Sequence, residues 1–98
     1  MQTTHTLPVE LTIYAVAEWH ARFQAWLADA DVDGHDLHVD ASPLREMDAA
    51  GVQLLTALAN SLARRDAHLL LERPSAALTD TCSQLGASFL LNATREDA

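Results

Sequence analysis

The chain has 98 residues, of which 49% are hydrophobic, and its 14 acidic and six basic side chains leave a net charge of −8. That length suits one small domain with one core, and the acidity argues against a phosphate-tracking nucleic-acid reader or an anionic membrane surface. A single cysteine, Cys82, excludes an internal disulfide and a cysteine-based zinc cluster; with no signal-peptide pattern at residues 1–7 and no apolar run near the ~20 residues of a membrane helix, a cytoplasmic domain is expected.

From Leu7 to Ile13 the residues alternate, with Leu7, Val9, Leu11 and Ile13 on one side and Pro8, Glu10 and Thr12 on the other. This is the period of a strand, with an edge-like proline. Val16, Trp19, Phe23, Trp26 and Leu27 then recur at helical spacing, so a first helix follows with both tryptophans packed on the sheet. Residues 31–34, Asp-Val-Asp-Gly, carry turn chemistry. His35 to Ala41 alternate again, and Ser42-Pro43 ends that second strand.

Asp48 suits the N-cap of a second helix, because its carboxylate can accept the free N–H groups of the first turn. The buried stripe of that helix is expected to be Val52, Leu55, Leu58, Ala59 and Leu62, with Arg64 and Arg65 favourably placed at its C-terminal end. His68 to Glu72 read as a short buried strand. Ser75, after Pro74, caps a third helix with Ala77, Leu78, Cys82 and Leu85 inward, and Gly86 is its stop. Ser88 to Leu91 is expected to form a last strand, and the polar tail from Asn92 to fray. The order is strand, helix, strand, helix, strand, helix, short strand. The expected fold class is α/β: one domain over residues 1–98, core about 7–91, with helices packed on a small mixed or parallel sheet.

The segment from Leu37 to Leu55, LHVDASPLREMDAAGVQLL, resembles the central signature of STAS domains, the sulfate-transporter and anti-sigma-antagonist family. That signature is a hydrophobic strand ending in Asp-x-Ser, a short loop, then Asp, two small residues, Gly and Leu or Val at the start of a helix. Val9-Glu-Leu-Thr-Ile13 is similar to the family's Gly-Glu-Leu-Thr-Ile strand. His68 to Ser75 and Leu85-Gly86 resemble its later strand, Pro-Ser helix start and helix end. Two positions depart from the pattern. Val9 replaces the usual glycine, and Ala49 stands where many anti-sigma-factor antagonists carry a phosphorylated serine or threonine.

The resemblance implies a protein-binding module without catalysis or cofactor. In phosphorylated relatives a new charge of about −1.5 to −2 disrupts the surface offered to the partner. Ala49 has no hydroxyl, so that switch is lost. Ala49, Ala50 and Gly51 leave a nearly bare helix start, expected to be a docking surface supported by Asp48 and rimmed by Arg45, Glu46, Met47, Val52 and Gln53. From the local residues alone, Asp48 is equally a plain helix cap and the alanines plain packing. Ser42 reads as a loop hydrogen-bonder, with modification as its alternative.

Other groups point to no chemistry. His35 and His38 lie an odd number of residues apart on a strand, so they face opposite ways and form no ready metal clasp, even with Asp36 and Asp40 nearby. His68 opens its strand and reads as a turn or edge residue. Asp29, Asp31, Asp33 and Asp36 lack the terminal glutamate of a calcium loop. Cys82 belongs to the core stripe. With only Gly34, Gly51 and Gly86 there is no glycine-rich phosphate loop, and no serine or cysteine sits in a nucleophile motif. The STAS resemblance implies a signalling protein as partner, either anti-sigma kinase-like or a chemotaxis component, or else the ATPase of a phospholipid transporter; a sensor holding a small ligand is the third alternative.

Overall fold

In the computed structural model, residues 5–29 and 36–91 are described. The elements in chain order are β1 (His5–Thr6), β2 (Glu10–Leu11), α1 (Val16–Asp29), β3 (Leu37–Asp40), β4 (Glu46–Met47), α2 (Ala49–Ala63), β5 (Leu69–Glu72) and α3 (Ala76–Gln84). All strand pairs are parallel. They form two sheets: a three-stranded one in the order β1-β3-β5, and a two-stranded one of β2 and β4. The architecture is α/β, as the alternation of strand and helix patterns predicts.

The expected strand from Leu7 to Ile13 is instead two short pieces in different sheets. Leu7 donates its N–H to the Asp40 carbonyl at 2.9 Å, extending the pairing of β1 with β3. After Pro8 the chain leaves that sheet and pairs with β4. Leu7 and Leu11 are buried, whereas Val9 and Ile13, expected on the same inward side, are each 59% exposed. The inward period is therefore four rather than two, because the strand is broken at its middle.

α1 buries Phe23 and Leu27 and half-buries Val16, Trp19 and Trp26, the stripe its spacing predicts. Trp26 contacts Phe23 with ring centroids 5.0 Å apart and stacks on His5 of β1 at 4.4 Å. α2 buries Gly51, Val52, Leu54, Leu55, Leu58 and Leu62. Ala59 of the expected stripe is half-buried, and Leu54 is the addition. Helix α2 packs against α1, α3, β4 and β5, so its buried arc is wider than one stripe. Beyond its end, Asp66 takes a left-handed turn (φ 56°) and Ala67 N–H returns to the Leu62 carbonyl at 2.9 Å. Arg65 reaches the Leu27 carbonyl at 3.0 Å. Its charge thus serves the C-terminal end of α1, as well as lying near the end of its own helix.

α3 is capped by Ser75, whose Oγ accepts the Leu78 N–H at 3.2 Å, and it buries Leu78 and Cys82. Leu85 departs from expectation: it is the C-cap residue and half exposed. Gly86 (φ 70°) turns the chain there, and Ala87 and Leu90 fill the interior instead. Residues 88–91 form no strand. Residues 89–91 are helical, with Leu90 and Leu91 N–H groups bonded three residues back. Three apolar residues do not separate helix from strand by periodicity, and the preceding turn decides. The turn expected at 31–34, His35 and the tail from Asn92 lie outside the described residues, as does the Asp29 side chain.

No charged or polar residue is fully buried among the described residues. No helix among them is long and apolar enough to cross a membrane.

Candidate functional site

The start of α2 is built from three segments that meet around one carboxylate. Asp48 has an extended backbone (φ −130°, ψ −173°), the conformation of an N-cap. Its Oδ1 accepts the Gly51 N–H at 3.2 Å, and its Oδ2 accepts the Ile13 N–H at 3.0 Å. The first bond caps the helix. The second ties down the loop between β2 and α1, 35 residues away in sequence. The Ile13 N–H does most to hold the Asp48 carboxyl below its ordinary range; partial burial opposes it, and the Gly51 and Ala50 N–H groups assist. Asp48 is therefore the helix cap the residues predict and also the clasp of a distant loop.

The loop is braced internally as well. Thr12 Oγ1 donates to Glu10 Oε2 at 2.5 Å and accepts the Tyr14 N–H at 3.3 Å, and Ala15 N–H bonds the Thr12 carbonyl at 2.9 Å. On the other side, the Val9 carbonyl accepts the N–H groups of Arg45 (2.7 Å) and Glu46 (3.0 Å). Glu10 pairs in register with Glu46 and Leu11 with Met47. The sequence predicts a loop between Ser42-Pro43 and Asp48, because a two-residue strand such as β4 leaves no period to see.

The nine residues expected to form a docking surface divide by accessibility. Arg45, Glu46, Ala49 and Gln53 are exposed, and Met47, Asp48 and Ala50 are half-buried. Gly51 and Val52 are buried, so they support the surface and offer no contact atoms. The Arg45 guanidinium folds back onto the Ser42 and Leu44 carbonyls at 2.7 and 3.3 Å. On the segment bonded to Asp48, Arg45 and Glu46 the structure leaves exposed residues outside the expected nine. Val9 and Ile13, each 59% exposed, and Tyr14, 92% exposed, are three of the five large hydrophobic residues left exposed among those described. Val9 and Ile13 had fitted the inward side of a strand; only Tyr14, outside every periodic pattern, gave a signal.

A second polar group lies on the outer side of the three-stranded sheet. His38 Nδ1 is 2.7 Å from Glu72 Oε2, and Asp40 Oδ2 is 2.6 Å from Arg73 Nη2. Asp40 Oδ1 accepts the backbone N–H of Ser42 at 3.0 Å. That N–H, with Arg73 next, draws the Asp40 carboxyl down to about 2. His68 Nδ1 is 3.2 Å from Asp36 Oδ1. No three His, Cys, Asp or Glu side chains converge on a metal position among the described residues. The groove between α1 and α2, floored by Phe23, Leu27, Leu54 and Leu58, has a volume of about 30 Å³. That is room for water.

A family model described as "Mlab, STAS domain" matches residues 6–92. No curated protein matches the chain.

Proposed function

Because this chain belongs to the STAS domain family, we propose that it is a non-catalytic protein-binding module that docks a partner at the start of α2. The observation that carries this reading is the exposure of Val9, Ile13 and Tyr14 on the segment that the Asp48 cap ties to the helix start through the Ile13 N–H. Three large apolar side chains left exposed within six residues of chain, Val9 to Tyr14, suit an interaction surface. The loop after β2, which bears Ile13 and Tyr14, is held by four hydrogen bonds, so little conformational entropy is lost on docking.

Ala49 makes the module constitutive. With no hydroxyl at the position where relatives are phosphorylated, binding follows the amount of partner. We place the module in bacterial signalling, with an anti-sigma kinase-like protein or a chemotaxis component as partner. The missing hydroxyl equally favours a permanent subunit, and the second reading is the STAS subunit of a phospholipid-transport ATPase complex.

Affinity capture from the native cell separates these readings. Wild-type chain is compared with Ala49→Arg, whose guanidinium fills the exposed helix start without touching the core. Loss of one specific protein from the variant's catch supports the surface, and the identity of that protein, signalling component or membrane ATPase, chooses between the readings. Equal capture by both chains overturns the docking site.

A further inference from the structure

The chemistry of the partner is written in two features beside the apolar group. Glu10 and Glu46 stand directly opposite one another in the register of β2 and β4. Like charges facing across a strand pair are destabilising, and no arginine or histidine pairs with either among the described residues. Glu46 is exposed; Glu10 is half-buried, its one polar contact being the Thr12 hydroxyl. The nearest cation in sequence, Arg45, is turned onto backbone carbonyls. The second feature is the position of Tyr14. It projects at 92% exposure from a braced turn, and Thr12 links its backbone to the Glu10 carboxylate through a single hydroxyl. A protruding aromatic ring therefore stands four residues along the chain from Glu10, which with its register partner Glu46 pairs with no cation among the described residues.

Resting on the docking reading above, we propose that the partner offers a concave apolar socket with a basic rim: Tyr14 enters the socket, and a lysine or arginine of the partner lies between Glu10 and Glu46. A projecting tyrosine needs a recess, and it fits the role of the anchor that carries most of the binding at protein interfaces. The acidic pair supplies charge complementarity, speeds encounter with a basic surface, and turns away acidic ones. Binding relieves the repulsion between the two glutamates, so the pair is unfavourable in the free chain and favourable in the complex.

The test uses the full chain, immobilised, with extract of the native cell as the source of partner and elution in steps of salt. Four forms are compared: wild type, Tyr14→Ala, the double variant Glu10→Gln/Glu46→Gln, and Ala49→Arg. Circular dichroism checks that each is folded. Tyr14→Ala is expected to reduce retention about 30-fold at every salt concentration. The double glutamine variant is expected to reduce it about tenfold at low salt and to flatten the salt dependence, because the screened attraction has gone. Photo-crosslinking from a benzophenone side chain at position 14 then locates the socket, and a basic residue is expected at its rim. If Ala49→Arg loses the partner while Tyr14→Ala and the double variant retain it like wild type, this proposal is overturned and the docking site stands. If all four retain it equally, both fall.

Discussion

Gly51 lies directly beneath the backbone of Leu11. A methyl group at Gly51 would overlap the Leu11 carbonyl oxygen and stand 3.2 Å from Met47 Cγ. Helix α2 thus approaches the two-stranded sheet closely only because this position has no side chain. Two effects compete on replacement. Alanine favours a helix interior over glycine by about 1 kcal/mol, whereas forcing backbone apart in a packed interior costs about 1–3 kcal/mol or more. The steric cost should win, since the obstacle is main chain and not a flexible side-chain end. Gly51→Ala is expected to lower stability by about 1–2 kcal/mol in urea unfolding. A stabilised variant would mean that β2 does not lie over α2.

Asp48 serves two segments, and its replacements should separate the two services. Loss of an N-cap costs about 0.5–2 kcal/mol, and the bond to Ile13 adds to that. Asp48→Ala is expected to destabilise by about 1–3 kcal/mol and to speed amide exchange at both Ile13 and Gly51. Asp48→Asn keeps one acceptor oxygen and should fall between wild type and Asp48→Ala. Unchanged exchange at Ile13 in the alanine variant would show that the loop is held by something else.

The acid limb of stability has a definite contributor. The Asp40 carboxyl is lowered from 3.8 to about 2 by the Ser42 N–H and by Arg73. A group with a depressed folded pKa binds its proton more readily in the unfolded chain. Its stabilisation is complete above about 4 and is lost as pH falls through about 2. Asp48, shifted in the same direction, acts likewise. Asp40→Asn should therefore flatten the fall of stability between pH 4 and pH 2, followed by thermal unfolding. An unaltered slope would remove Asp40 from the account.

Leu85 and Leu90 offer a direct check on the end of the chain's core. Leu85 is half exposed at the end of α3, and Leu90 is buried. Truncating a buried leucine costs about 2–5 kcal/mol, and most surface replacements stay within about 0.5 kcal/mol. Leu90→Ala is expected to be the severe variant and Leu85→Ala the mild one in denaturant unfolding. The opposite order would restore the inward Leu85 that helical periodicity predicts.

What could be read from the residues was whatever is encoded locally. Helices α1, α2 and α3 follow from apolar spacing, and the caps at Asp48 and Ser75 from side chains that bond N–H groups within three residues. Strand β3 shows its alternation, and β5 is legible as a short buried apolar run. The likeness of residues 37–55 to one family signature located the candidate surface, and Ala49 on it is exposed.

Tertiary structure alone decided the rest, because those features exist only through distant partners. Two-residue strands such as β2 and β4 have no period of their own; each is a strand because the other hydrogen-bonds to it. The break after Leu7 turned Val9 and Ile13 outward, against a pattern that suited burial. The bond from Ile13 to Asp48 spans 35 residues, and it ties the loop that carries Tyr14 to the helix start. Local spacing reports which face of an element is apolar. Which apolar residues remain uncovered depends on how the elements meet.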